Sequence, residues 1–173
     1  MMSKKSLREE AHERLAALGL VLPYKPVWWV GQAKQEVLAL PESVRHEVGV
    51  AVRAAQGSRT AHGVRKHIDG SFRGWDVAYA SMPFDGDTYR AFFTVAAFSD
   101  VIFVLCAFQK KSTQGIATPK VKLALVETRY SMAKALYKEP PTDLAKAIKR
   151  YHAECDAQSP VVPSTPRSRG RKS

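Results

Sequence analysis

A chain of 173 residues with 45% hydrophobic content is enough for one domain with a real core and short appendages. Its 27 Lys and Arg outweigh 16 Asp and Glu, and the formal net charge of +11 calls for an acidic partner: nucleic acid, an anionic membrane or an acidic protein. The best apolar run, Val101 to Phe108, has the length of a strand and excludes a membrane-spanning helix of ordinary length.

Residues 6–19 carry Leu7, Ala11, Leu15 and Leu18 at helical spacing, with Ser6 placed to cap and Gly19 to stop, so a short leader helix is expected there. Arg8, Glu9 and Glu10 stand where a signal peptide needs an apolar run, which favours a cytoplasmic protein. Pro26 to Val30, rich in aromatic and branched residues, reads as a first strand closed by Gly31. Gln32 to Leu40 reads as a helix. Pro41 opens a second helix to about Ala55, with Val44, Val48, Val52 and Ala55 on one face and Gly57 as its stop.

Residues 57–71 form a polar, basic stretch with three glycines, expected to be a loop. Three strands should follow, over Phe72–Ala80, Thr88–Ala97 and Asp100–Phe108. The hairpin dipeptide Asp85-Gly86 joins the first pair and a tight turn at Ser99-Asp100 the second. Short connections between such runs imply an antiparallel meander. Pro119 to about Tyr137 is expected to be a helix, with Val121, Leu125 and Met132 among its apolar positions. After Pro140-Pro141, Thr142 caps a last helix to about Cys155, with Leu144, Ala147, Ile148 and Tyr151 facing inward. Residues 159–173 hold three prolines, four cations and no acid, the composition of a disordered tail.

Cys106 and Cys155 have neither a second Cys nor a His at metal-ligand spacing, so two free thiols are expected, with no metal and no cofactor. The informative stretch is 85–120. Two apolar strands, one carrying Arg90 and the other ending at Lys110-Lys111, bring cations together on a sheet with no matching acids, an arrangement suited to a polyphosphate.

Four segments carry a likeness: KPVWWVG, VLALPESVRHEVGVAV, DGDTYRAF and VLCAFQKKSTQGIATPK. In content and order, residues 25–137 resemble the RelE/HigB superfamily of toxin-antitoxin toxins, and its phage-derived HigB-like branch in particular. The last segment is the most specific: an apolar strand, Phe-Gln-Lys-Lys, a Gly-containing loop, then Thr-Pro and a helix. The resemblance implies an α+β fold, β-α-α-β-β-β-α around a small, curved, mainly antiparallel sheet. Residues 1–24 and 138–158 would then be added helical segments and 159–173 a basic tail. It also implies a metal-independent endoribonuclease that cuts mRNA on the ribosome and is silenced by a helix-turn-helix antitoxin.

Such chemistry attacks the phosphate with the ribose 2′-OH, so cations must stabilise the charge that builds on phosphorus. By motif position, Arg90 would clamp the phosphate with its planar fork and Lys111 would serve catalysis, with Lys110 on the backbone. The basic stretch offers Arg65, Lys66 and His67 for RNA contact, and Gln109 could orient the site. Where relatives commonly carry an arginine at the end of the first meander strand, this chain has Ala78, and Arg73 is the nearest substitute. Ala78 and the basic tail keep a second reading open, a catalytically weak or inactive RNA- or ribosome-binding protein on the same scaffold. A gyrase-directed toxin of the ParE kind is a third reading, against which the Gln-Lys-Lys motif argues. Trp28, Trp29, Trp75 and Phe108 read as packing residues.

Overall fold

A computed structural model of the chain describes residues 23–58, 63–66, 74–110 and 119–158. The expected leader helix and basic tail lie outside the described residues, as do Arg73, His67 and Lys111. The described elements are β1 (Val27–Trp29), α1 (Ala33–Leu38), α2 (Glu42–Gln56), β2 (Val64–Lys66), β3 (Val77–Phe84), β4 (Asp87–Thr94), β5 (Ile102–Lys110), α3 (Lys120–Lys138) and α4 (Thr142–Gln158). They make an α+β fold with a five-stranded mixed sheet in the order β1-β5-β4-β3-β2. β1 runs parallel to β5, and the remaining neighbours are antiparallel.

Helices cover both faces of the sheet. On one face, Val37 of α1 and Val44, Val48 and Val52 of α2 pack against Ala78, Ala80, Ala91 and Phe93. On the other, Val126, Tyr130 and Ala133 of α3 and Leu144 of α4 pack against Phe92, Phe103, Leu105 and Cys106. This double covering explains the unbroken apolar run of the central strand β5.

Local signals located several boundaries. Pro41 and Pro119 precede α2 and α3 and cap them, each carbonyl accepting a bond from the first helical turn. Asp85 and Gly86 both have positive φ, 49° and 76°, as a two-residue type I′ hairpin turn demands. The last helix is capped by the Pro141 carbonyl, which accepts from Ala145, and Thr142 is already its first helical residue.

Five further expectations need correction. The polar stretch after Gly57 contains strand β2, recruited by pairing with β3 rather than by its own composition. β3 begins at Val77, because Gly74 and Asp76 adopt positive φ, and it continues through Pro83 to the hairpin. β4 ends at Thr94, and a long connection, not a tight turn at Ser99-Asp100, leads to Ile102. β5 extends two residues past Phe108, to Lys110. On α3 the buried stripe is Val126, Arg129, Tyr130 and Ala133, while Val121 is 80% exposed and Met132 is also exposed. The element order is therefore β-α-α-β-β-β-β-α-α, one strand more than expected.

Candidate nucleic-acid interface

The faces of β5 are set by one extra residue. Phe93 pairs with Val104 and Phe92 with Cys106, so Leu105 is inserted as a bulge. Before it, Ile102 and Val104 face α1 and α2; after it, Cys106 and Phe108 face α3. Simple alternation from Val104 would have sent Phe108 and Lys110 toward the helix hairpin. The bulge inverts the parity and brings both to the α3 side.

Arg90 lies directly opposite Phe108 in register, and Lys110 opposite Thr88. Directly opposed residues share a face, so Arg90 and Lys110 are diagonal neighbours on the α3 side of the sheet. Arg90 is 8% exposed and Lys110 7%, and both are engaged within the fold. They are not the solvated strand cations that sequence alone would suggest.

The two cations belong to a larger array. The guanidinium of Arg90 lies 5.1 Å from the centroid of the Tyr79 ring. Tyr79 stacks on Phe92 at 5.3 Å, and Phe92 on Phe108 at 6.0 Å. Lys122 closes the far end, with Nζ 5.1 Å from the centroid of Phe108. Three rings in a row thus carry a cation at each end, with Lys110 beside them on the same face. α3 also begins here, with Lys120 and Lys122 and no acid in its first turn. Its N-terminal partial positive charge therefore adds to the cations.

Lys122 and Tyr79 were not singled out from sequence. The usable signal for Lys122 was the helix start at Pro119, which puts the first turn against the end of β5. For Tyr79 it was alternation from Val77, once the strand start is known.

The other candidates fall differently. Gln109 lies opposite Tyr89 on the reverse face and donates from Nε2 to Asp87 Oδ2 at 2.6 Å. There it borders a cleft of about 570 Å³ with Glu36 and Tyr89, away from Arg90 and Lys110. Arg65 and Lys66 are in β2, in register with Tyr79 and Ala78. Ala78 is 1% exposed and packs in the core against the helix hairpin. A cation at 78 would enter that core, so Ala78 leaves no gap in the Arg90 face, where Tyr79 stands instead.

An ion pair between a buried arginine and a partly exposed glutamate holds the bulge in place. Arg129 of α3 donates to both carboxylate oxygens of Glu36 of α1, Nη1 to Oε2 at 2.8 Å and Nη2 to Oε1 at 2.6 Å. The same Nη1 donates to the Leu105 carbonyl at 2.8 Å, and Glu36 Oε2 accepts the Ala107 N–H at 3.1 Å. β1 pairs with β5 only at Ile102 to Val104, and the pair satisfies backbone groups that a longer β1 would have taken. Gly31, with φ of 56°, lets the chain turn beneath the guanidinium, and a β-carbon there would lie 3.4 Å from Arg129 Nε.

Two groups near this face titrate abnormally. Burial pushes the Cys106 thiol up to about 12, the Glu36 carboxylate adding to the effect. Burial, helped by the charge of Asp76, also raises the Tyr130 phenol, whose OH donates to the Trp75 carbonyl at 3.2 Å. Among the described residues no group of three or more His, Cys, Asp and Glu side chains could hold a metal ion, and no helix is long and apolar enough to cross a membrane.

Comparison with known families places residues 35–131, from within α1 to near the middle of α3, in the family described as phage derived protein Gp49-like. The chain belongs to that family, part of the HigB/RelE-like group of toxin-antitoxin toxins. Searches of curated proteins and of solved structures gave no match.

Proposed function

We propose that this protein is the toxin of a toxin-antitoxin pair and acts as an endoribonuclease on mRNA at the ribosome. The observation that carries this reading is the shared face of Arg90, Lys110 and Lys122, backed by the rings of Tyr79, Phe92 and Phe108. Family membership supplies the toxin class and, in general terms, an antitoxin partner, here proposed to be a helix-turn-helix protein.

In the proposed reaction the ribose 2′-OH attacks the adjacent phosphorus and the bond to the 5′ oxygen breaks. The products are a 2′,3′-cyclic phosphate and a free 5′-OH; the 2′ proton leaves to a base and the departing oxygen takes one up. The role of the cations is to stabilise the doubly charged phosphorane. Arg90 offers two parallel donors to its oxygens, and Lys110 and Lys122 act as point charges. The half-buried Tyr79 is the ring best placed to stack on a displaced base. Lys111 and Arg73 are assigned to the same site from the family motif, and Arg65, Lys66 and His67 to RNA backbone contacts. Gln109, on the reverse face, is given no part at the cleaved phosphate.

One observation favours a second reading, a non-catalytic RNA- or ribosome-binding protein: Arg90 and Lys110 are both more than nine-tenths buried. A catalytic role requires that substrate binding uncover them. Induction in cells, followed by mapping of mRNA 5′ ends, separates the readings. New codon-linked ends that vanish with the Arg90→Ala/Lys110→Ala double variant support the nuclease. Arrested growth with no new ends supports the binder.

A further inference from the structure

A second cleft lies away from the cation face, where the strap 23–26 passes between the end of α2 and α4. Its volume is about 600 Å³. The strap is fixed to α2 by a reciprocal pair of bonds: the Lys25 N–H donates to the Gln56 carbonyl at 3.2 Å, and Gln56 Nε2 donates to the Lys25 carbonyl at 2.6 Å. The floor is therefore formed before any ligand arrives.

Three cations line the cleft, Lys25, Arg53 and Arg150, against one acid, Glu154. Glu154 is held at 3.1 Å by exposed Arg150 one helical turn away, a weak surface pair that a competing anion can displace. Lys25 is only 2% exposed and is engaged within the fold, so exposed Arg53 and Arg150 are the cations that a ligand meets first. Arg53 lies over Tyr24, its guanidinium carbon 3.3 Å from the ring centroid, and the two make a cationic, aromatic wall. Tyr151 supplies a second aromatic surface.

Size and chemistry together narrow the ligand. A bare inorganic anion would fill a small part of a cleft this large, which falls in the range that organic ligands occupy. Cations call for phosphate, and the arginine-tyrosine wall suits a flat, polar ring such as a nucleobase. The strap and α4 both lie outside the family-matched residues 35–131, so segments added to the family core build two of the three walls. We propose that this cleft is a second binding site, separate from the cation face, for a nucleoside phosphate, either free or as the 5′-terminal nucleotide of an RNA.

The test is titration of the full chain with ADP by calorimetry, repeated with the double variant Arg53→Ala/Arg150→Ala and with Arg90→Ala. Both cleft arginines are exposed, so the double variant is expected to fold. Saturable one-site binding is expected, weakened at least about tenfold by loss of the two charge-assisted contacts and unchanged by Arg90→Ala. Absence of saturable binding overturns the proposal, as does ADP binding that survives the double variant or depends on Arg90. Competition then identifies the source. Displacement of ADP by a 5′-phosphorylated oligonucleotide, but not by its 5′-hydroxyl form, assigns the site to an RNA end; no displacement by either assigns it to a free nucleotide. Arg90→Ala is silent in this assay whether or not the protein cleaves RNA, so failure here and failure of the nuclease reading are separate results.

Discussion

Arg129 and Glu36, 93 residues apart in sequence, meet at a point where three elements need one another. Each group of the pair has two duties: the guanidinium satisfies a carboxylate and the Leu105 carbonyl, the carboxylate a guanidinium and the Ala107 N–H. Removing Glu36 strands the buried guanidinium, whereas removing Arg129 leaves a partly exposed carboxylate. Glu36→Ala is expected to cost about 3–5 kcal/mol and Arg129→Ala less, and the double variant clearly less than the sum of the two singles. Urea unfolding of the four proteins measures this. Cys106 gives a pH-dependent counterpart. Its thiol keeps its proton in the fold up to about pH 12, whereas in the unfolded chain it ionises near 9.0. The native state then binds more protons than the unfolded state above pH 9, so stability falls as pH rises through that window. Relative to Cys106→Ala, the wild type should lose about 1 kcal/mol between about pH 8 and about pH 10, read from denaturant midpoints. None of this was legible in the sequence, because Glu36 and Arg129 look like ordinary helix-surface charges until the helices are brought to β5.

The single-residue bulge at Leu105 decides which side chains the end of β5 offers to the site. Deleting Leu105 should remove the bulge and leave Cys106 to Lys110 on their present faces, because Val104 and Cys106 would then alternate directly opposite Phe93 and Phe92. The deletion also removes the carbonyl that Arg129 binds, so the expected outcome is a folded but destabilised protein that keeps its RNA cleavage. Circular dichroism and a cleavage assay together check it, and cleavage that falls to the level of Lys110→Ala in a folded deletion would contradict this assignment of faces. Boundaries fixed by local chemistry were legible in the sequence: prolines before α2 and α3, and Asp85-Gly86 between β3 and β4. Those fixed by tertiary contacts were not. β2 is a strand because β3 is beside it, and β3 starts late because Gly74 and Asp76 turn the chain first. The stripe on α3 was displaced for a similar reason: a buried arginine occupies the place where an apolar residue was sought.

For the molecule as a whole, a net charge of +11 predicts RNA binding dominated by phosphate contacts. The logarithm of the affinity for single-stranded RNA should fall linearly with log salt, by roughly 0.7 for each phosphate neutralised. Arg90→Ala and Lys110→Ala should each lower the slope by about one contact if both reach RNA; an unchanged slope would place them in the scaffold alone. α4 packs Leu144 into the same core that holds Phe92 and Phe103, and His152 Nε2 meets Asp100 Oδ2 at 2.9 Å. It is thereby joined to the body of the fold, outside the part of the chain that the family match covers. The central claim is that the face carrying Arg90, Lys110 and Lys122 cleaves RNA. Its most direct test is incubation of purified protein with ribosome-bound mRNA, followed by end-group analysis of the fragments. The account predicts 2′,3′-cyclic phosphate and 5′-hydroxyl ends, reduced on the order of 100- to 1,000-fold by Arg90→Ala. Intact mRNA, or cleavage that Arg90→Ala and Lys110→Ala leave untouched, would contradict it.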